Sequence, residues 1–226
     1  SIRRQRQMCI RDSIRSSSSH KNQEPESKVL YIVGTPIGNL NDISSRAINV
    51  LKNVSLIVCE DTRQTNKLMR RYEFTNHLIS FNKHNSQDKI PRIINDLNSG
   101  KSVALVSDAG MPSICDPGED LVRSARALGL ITICIPGPCA AVTALVSSGL
   151  PSSRFTFEGF LPRKKSEREN ILLEISKSYK TTILFESPRR LKQALNELRE
   201  YCGGKREIVV SRELTCLLYT SDAADE

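Results

Sequence analysis

Three loop-forming segments, each placed directly after a short apolar run, constrain the fold of this chain more than any other feature. The segment 34–40 (GTPIGNL) follows the apolar run 29–33, and the segment 107–118 (SDAGMPSICDPG) follows the run 103–106. The segment 135–141 (IPGPCAA) repeats this arrangement. Apolar runs that alternate with amphipathic helices are typical of a parallel sheet, and ligands bind at the carboxyl ends of its strands. The sequence therefore predicts an α/β sheet with three loops around one ligand cleft.

The glycines in these segments narrow the kind of ligand. The spacing from Gly34 to Gly38 differs from the GxGxxG turn of dinucleotide-binding proteins, and the chain contains no GxxxxGK[ST] phosphate loop. Taken singly, Gly34, Gly38, Gly110 and Gly137 are also explained by turn geometry, because glycine adopts positive φ angles without a steric cost. The three segments together favour a nucleotide-type cofactor cleft.

Strands and helices alternate along the first part of the chain. Five strands are predicted over 29–33, 55–59, 78–81, 103–107 and 131–135. Between the first two we expect a helix that begins with Asp42 as its N-cap, and Gly129 is expected to end a later helix as its C′ residue. The composition turns small and polar at 147–153, where we expect a domain boundary.

The second part of the chain is predicted to form another α/β unit. Strands are expected over 154–157, 181–185 and 207–212, with helices over about 166–179 and from Pro188 to the pair at 203–204. We divide the chain into a non-native or disordered segment 1–28, an N-terminal α/β domain 29–148, a C-terminal α/β domain 149–215 and a non-native tail 216–226. The second domain ends abruptly, and we expect it to be truncated.

The composition argues against two classes of protein and suggests one kind of partner. With 33 Lys and Arg against 25 Asp and Glu, the net charge is +8, which suits a polyanionic partner without identifying one. No apolar run approaches the ~18 residues of a membrane span. None of the three histidines pairs with Cys or Glu at metal-ligand spacing, and the seven cysteines lack CxxC spacing. We therefore expect a cytoplasmic protein with no membrane contact and no metal.

Four further segments occur in a fixed order with the three loops. They are CEDTR (59–63), EGFLPRK (158–164), FESPRR (185–190) and SRELT (211–215). The ordered set resembles the ribosomal RNA small subunit methyltransferase I family of the tetrapyrrole methylase superfamily, over about residues 29–215. Cys139 and Met111 depart from the family pattern, which usually has serine and a small β-branched residue there. The resemblance implies two α/β domains with the cofactor cleft between them, and a homodimer.

The resemblance also implies an activity. Enzymes of this family use S-adenosyl-L-methionine to methylate the ribose 2′-hydroxyl of a cytidine in the decoding region of small-subunit (16S) rRNA. We therefore expect this RNA, or the 30S particle that contains it, as the partner. The positions that match the cofactor site of the family are Pro36, Gly38, Asp108, Ala109, Gly110, Met111, Cys139, Ala140, Phe185, Glu186, Leu214 and Thr215.

A ribose hydroxyl must lose its proton during methyl transfer, so a general base is expected near the cleft. The best candidates are Asp61 and Glu60, which follow a buried strand and have Arg63 as a neighbouring cation, and we place Asp61 ahead of Glu60. The alternative is structural. Asp61 would then be the N-cap of a helix, and Arg63 would neutralise its charge.

Basic residues in loops and at a helix start are the candidates for RNA contact. They are Lys83, Arg163, Lys164 and Arg189. Such side chains bind phosphates, although a group of charges is also typical of a solvated surface.

Three other functions stay open at this point. A corrin or porphyrin C-methyltransferase would typically have GxGPGD in the first loop, whereas the segment 34–40 contains no Asp. A diphthamide-forming methylase is disfavoured for the same reason. A non-catalytic RNA-binding relative would be expected to have a blocked cleft, which the intact segments 107–118 and 135–141 argue against.

Overall fold

Five parallel strands form the larger of two sheets. A computed structural model of the chain describes residues 24–215. The strands of this sheet are β1 (Val29–Val33), β2 (Leu56–Cys59), β3 (Leu78–Ser80), β4 (Val103–Val106) and β5 (Ile131–Ile135). They lie in the order β3-β2-β4-β1-β5, and each pair of neighbours is parallel. The strands predicted from the apolar runs are confirmed to within one residue at either end.

Helices cover both faces of this sheet, which explains why its central strands are apolar throughout. The helices are α1 (Ser45–Asn53), α2 (Thr62–Arg71), α3 (Ser86–Asn98) and α4 (Glu119–Ala127). α1 and α2 pack on one face, whereas α3 and α4 pack on the other. Successive side chains of β1 alternate between the two layers, so that Tyr31 belongs to the first core and Leu30 to the second. Both side chains are fully buried.

The strand order creates a crevice at the carboxyl ends of β1 and β4. These strands are neighbours, yet the chain leaves β1 toward β2 on one side and leaves β4 toward β5 on the other. The helices that follow β1 and β4 therefore lie on opposite faces of the sheet. This is the switch point at which open α/β sheets bind ligands.

A second, two-stranded sheet follows. Its parallel strands are β6 (Phe155–Phe160) and β7 (Thr181–Phe185), and the remaining helices are α5 (Ala140–Ser147), α6 (Lys165–Lys177) and α7 (Pro188–Cys202). α5 packs against this sheet through a cluster of Ala141, Leu145 and Ile183. The buried guanidinium of Arg168 in α6 pairs with Glu197 in α7, which joins the two helices. The predicted α/β fold is confirmed, while the division into domains 29–148 and 149–215 stays a prediction.

The predicted N-cap of α1 is wrong. Asp42 lies in a 3₁₀ turn, Leu40–Asp42, and Ser44 caps the helix instead, because its Oγ accepts a hydrogen bond from the backbone N of Ala47 at 3.1 Å. Both residue types are good N-caps, and the turn moves the helix start along the chain. Pro188 at the start of α7 and Gly129 after α4 are placed as predicted.

The predicted strand 207–212 is also wrong, because these residues have no strand assignment. Residues 207–212 and residues of β7 line a common cavity of about 620 Å³. A strand needs a hydrogen-bonded neighbour, and this segment has none in the described part of the chain. The predictions for residues 1–23 and 216–226 lie outside the described residues.

The cap correction gives a first testable prediction. Ser44→Ala should lower the free energy of unfolding by about 1 kcal/mol, because it removes the acceptor of the Ala47 N–H. Asp42→Ala is the matched control and should change stability by much less. Denaturant unfolding of both variants measures the difference. A larger loss for Asp42→Ala would contradict the assignment of Ser44 as the cap.

Candidate active site

The loops after β1 and β4 are joined to each other by backbone hydrogen bonds. The N–H of Thr35 donates to the carbonyl oxygen of Gly110 at 2.9 Å, and the N–H of Gly110 donates to the carbonyl oxygen of Thr35 at 3.1 Å. The buried hydroxyl of Thr35 donates to the carbonyl oxygen of Ser107 at 3.3 Å. The first loop (34–40) and the second loop (107–118) therefore form one structure at the crevice.

The third loop (135–141) meets the first at a pair of glycines. A Cβ atom on Gly34 would lie 2.7 Å from the Cα of Gly137, and one on Gly137 would lie 2.8 Å from the Cα of Gly34. The same Cβ on Gly34 would also lie 2.7 Å from the Sδ of Met111 in the second loop. All three loops thus converge around Gly34, while their role as one cofactor site stays a prediction.

Most of the predicted cofactor residues of these loops lie at or near the surface of the crevice. Asp108 and Ala109 are exposed, Gly110 is buried with a φ of +83°, and Met111 is half-buried. In the first loop, Pro36 is buried, whereas Gly38 is exposed. The left-handed backbone at Gly110 is one that side chains with a Cβ rarely adopt, so glycine is required there for the shape of the loop.

The other predicted cofactor residues belong to α5, β7 and the last described segment. A cavity of about 400 Å³ is lined by α5, β7 and residues 209–214. Predicted residues in this lining are Ala140, Phe185, Glu186 and Leu214. Cys139 is the N-cap residue of α5 and packs against the apolar cluster beneath that cavity. Thr215 is tied to the first loop, because its Oγ1 accepts a hydrogen bond from the N–H of Asn39 at 2.9 Å.

Glu186 presents a buried carboxylate oxygen that has no hydrogen-bond donor. Its side chain is 9% exposed, and its Oε1 accepts from the N–H of Ser187 at 2.7 Å. Its Oε2 lies 3.1 Å from the guanidinium of Arg190 but in no hydrogen-bonding geometry, since that group donates to the carbonyl oxygen of Leu161. The charge of Glu186 is therefore compensated by Arg190, while its Oε2 accepts no hydrogen bond within the described residues.

Asp61 caps the N-terminus of a helix, which is the structural alternative that the sequence analysis left open. It is the N-cap of α2, because its Oδ1 accepts from the N–H of Arg63 at 2.8 Å. The Nη2 of Arg63 also pairs with Oδ2 at 2.7 Å. The hydrogen bonds from the Arg63 side chain and backbone lower the pKa of Asp61. Such a carboxylate is a weak base, because its charged form is already stabilised.

Glu60, one residue earlier, has the opposite electrostatic environment. Burial raises the pKa of Glu60, and the negative charges of Asp108 and Asp116 raise it further, while Lys83 lowers it. Burial also raises the pKa of Asp116, against a stabilising hydrogen bond from Ser107. The environment of Glu60 is therefore the better one for a proton acceptor.

Sequence reasoning missed the link between the second loop and α2. The Oδ1 of Asp108 accepts a hydrogen bond from the N–H of Asp61 at 2.9 Å, so Asp108 positions the start of α2. It also missed Asp116, which contributes to the charge around Glu60. Both acids lie in the segment 107–118, and their position at the carboxyl end of β4, next to that of β2, was the signal that could have found them.

The predicted RNA-contacting residues fall into two groups. Lys83 is exposed in the loop after β3 and lies near enough to Glu60 and Asp116 to influence their pKa values. Arg163, Lys164 and Arg189 are exposed next to the second sheet, and the Nζ of Lys164 pairs with Glu167 at 2.9 Å. The structure therefore brings Lys83 to the crevice and leaves the other three at the starts of α6 and α7.

Two absences hold for the described residues. No group of three or more His, Cys, Asp or Glu side chains among residues 24–215 has an arrangement that could hold a metal ion. In the same range, no helix combines the length and apolar character needed to cross a membrane.

Comparison with known proteins places the chain in a family. The profile described as Tetrapyrrole (Corrin/Porphyrin) Methylases matches residues 29–217. The chain belongs to this family. Its similarity to ribosomal RNA small subunit methyltransferase I is confirmed by relatives of that name. The one from Vibrio cholerae is 49% identical, and the match covers 83% of this chain and 65% of the relative.

Other relatives agree with this placement. The protein of the same name from Halalkalibacterium halodurans is 48% identical, and the match covers 85% of this chain and 66% of the relative. The one from Xylella fastidiosa is 47% identical, and the match covers 84% of this chain and 70% of the relative. The chain thus spans about two thirds of the length of these tetrapyrrole methylase relatives. A crystal structure of diphthine synthase has the same fold, with a TM-score of 0.62 and 16% identity over 80% of this chain and 74% of that one.

The convergence of the loops gives a second prediction. Gly34→Ala should destabilise the protein by about 1–3 kcal/mol, because the new methyl group would overlap the backbone of Gly137. Gly204→Ala is the control, since nothing lies within 4 Å of its Cβ position. Thermal unfolding measures both. Equal melting temperatures for the two variants would show that the loops yield without cost, and that Gly34 is not needed for their packing.

Proposed function

We propose that this protein uses S-adenosyl-L-methionine to methylate the ribose 2′-hydroxyl of a cytidine in the decoding region of 16S rRNA. The observation that carries the proposal is the convergence of three loops at the switch point, in a chain nearly half identical to enzymes named for methylating small-subunit rRNA. We also propose, on the family resemblance alone, a cytoplasmic homodimer that acts on the 30S particle or its RNA.

The residues of the cleft fit S-adenosyl-L-methionine. The cavity between α5, β7 and residues 209–214 has a volume of about 400 Å³, within the ~300–1,000 Å³ range of small-molecule sites, although no residue of the first or second loop lines it. Glu186 lines this cavity, and its Oε2 accepts no hydrogen bond within the described residues, although it is paired in charge with Arg190. The residues that would hold the donor are Pro36, Gly38, Asp108, Ala109, Gly110, Met111, Cys139, Ala140, Phe185, Glu186, Leu214 and Thr215.

When bound, S-adenosyl-L-methionine supplies a methyl group on a sulfonium, which carries its own leaving group. The protein then has two tasks, to align the acceptor oxygen and to accept its proton. We assign the second task to Glu60, ahead of Asp61, because Glu60 is not neutralised by a neighbouring arginine. Arg63 holds Asp61 in place, and Asp108 fixes the turn between the two acids and α2.

Donor binding is the third prediction. The protein should bind S-adenosyl-L-methionine in a calorimetric titration, and Gly110→Val should weaken that binding, because valine is strained at a φ of +83° and its Cβ would lie 3.3 Å from Ile37. Gly204→Val, at an open position, should bind like the unmodified protein. No measurable binding to the folded, unmodified protein would remove the methyltransferase proposal.

The fourth prediction concerns the base. Glu60→Gln should reduce methyl transfer to small subunits by ~10²–10⁴-fold while preserving donor binding. Asp61→Asn should reduce it much less, because asparagine is also a good N-cap. Small subunits from a strain that lacks the endogenous activity are incubated with labelled donor, and the methyl group is then mapped. In a parallel incubation, label on an added corrinoid or porphyrin, with none on a ribose 2′-oxygen of the subunits, would favour the C-methyltransferase alternative.

The pH profile separates the base from a structural acid. Transfer should fall as the pH decreases through the raised pKa of Glu60, because only the carboxylate accepts a proton. Asp108→Asn removes one of the charges that raise this pKa but keeps an oxygen for the Asp61 N–H. At saturating donor, its acid limb should therefore move to lower pH. An acid limb that stays in place would contradict the role of Glu60.

A further inference from the structure

The exposed face of α2 carries cations and no acid. The helix spans Thr62–Arg71, and its charged residues are Arg63, Lys67, Arg70 and Arg71. All four are exposed, whereas Thr65, Leu68 and Met69 on the opposite face are buried against the sheet. The first acid after the helix is the exposed Glu73. Of these four cations, Arg63 alone has a role in the sequence predictions.

Both ends of α2 are held by the loops of the cleft. At its start, the N–H of Asp61 donates to Asp108 in the second loop at 2.9 Å. After its last turn, the hydroxyl of Tyr72 donates to the carbonyl oxygen of Leu40 in the first loop. The helix therefore has a fixed position relative to the crevice, with Glu60 directly before its first turn.

The charges on this face divide into one that is neutralised and three that are not. Arg63 pairs with Asp61, so it adds little positive potential. Lys67 donates to the neutral side chain of Gln64 at 3.0 Å and keeps its charge. Within residues 24–215, no acid pairs with Arg70 or Arg71. Arg70 and Arg71 lie three and four residues after Lys67, which places each of them about 5–6 Å from Lys67 on the helix surface, and they are consecutive to each other.

Phosphates near the crevice are more favourably bound at α2 than among the acids of the crevice itself. Glu60, Asp108 and Asp116 give the floor of the crevice a negative potential, which repels a phosphate backbone. Along α2 the side-chain charges become positive. Arg70 lies roughly 13 Å along the helix from Asp61, at a rise of about 1.5 Å per residue. By contrast, Lys164 and Lys165 near the start of α6 are paired with Glu167 and Glu169.

We infer that Lys67, Arg70 and Arg71 on α2 hold the phosphate backbone of the RNA strand whose ribose enters the cleft beside Glu60. This inference rests on the proposed rRNA substrate and adds a binding surface to it. Lysine and arginine contacts to phosphates fix register and orientation without reading sequence, which suits a helix that begins at the reacting ribose. Charge complementarity with a polyanion is what favours RNA over a protein partner here.

The test compares two triple variants of equal charge. One combines Lys67→Gln, Arg70→Gln and Arg71→Gln. The control combines Arg92→Gln in α3, Lys177→Gln in α6 and Arg199→Gln in α7, which are exposed cations on other helices. Binding to small subunits purified from a strain that lacks the endogenous methyltransferase is measured between about 50 and 200 mM salt. Calorimetry with S-adenosyl-L-methionine checks that each variant keeps an intact donor site.

The α2 variant should bind small subunits more weakly, and its slope of log affinity against log salt should be shallower by about 2–3 than that of the unmodified protein, from 0.7–0.9 per lost phosphate contact. The control should keep the original slope. A charge-preserving variant (Lys67→Arg, Arg70→Lys, Arg71→Lys) should also keep it, which separates charge from folding. Equal slopes for the α2 variant and the unmodified protein, or equal losses in both triple variants, would overturn the inference. If the unmodified protein binds the donor but no RNA, the proposed substrate fails as well.

Discussion

The contact between the first and third loops at Gly34 and Gly137 is the constraint on which the rest of the site depends. The two backbones are too close for a Cβ atom on either residue, and the Thr35–Gly110 hydrogen bonds add the second loop to the same contact. Because β1 lies between β4 and β5, the loops that follow these three neighbouring strands are brought together by the sheet itself. The strand order and two glycines thus determine the shape of the crevice floor.

Electrostatics then divides the surroundings of the crevice into two parts with different tasks. Burial and the neighbouring acids Asp108 and Asp116 raise the pKa of Glu60, which makes it a better proton acceptor than a solvated carboxylate. Asp61, next to it, loses that property because Arg63 neutralises it. Glu60, the candidate base, and Asp61, the helix cap, are therefore consecutive residues with different roles. The helix α2 begins after Asp61 and has a basic exposed face.

Local sequence patterns predicted the elements that depend on residues close in sequence. They failed for features that depend on contacts between residues far apart in sequence. The apolar runs found all five strands of the larger sheet, and the three central strands, β1, β2 and β4, are apolar throughout because both of their faces are buried. The segment 207–212 has a strand-like composition, but no described neighbour pairs with it. Asp108 follows β4 as the sequence indicates, whereas its hydrogen bond to a backbone group 47 residues away has no signature in sequence. The cap at Ser44 was missed because Asp42, nearby, is an equally good cap type.

The hydrogen bond between Asp108 and the Asp61 N–H has a thermodynamic consequence. It joins a loop proposed to hold the methyl donor to the start of a helix proposed to hold the RNA, so a shift of the loop on ligand binding would be transmitted to that helix. Under these two proposals the two binding equilibria are linked, and the linkage is mutual. The factor by which the donor changes the affinity for RNA is then the factor by which RNA changes the affinity for the donor.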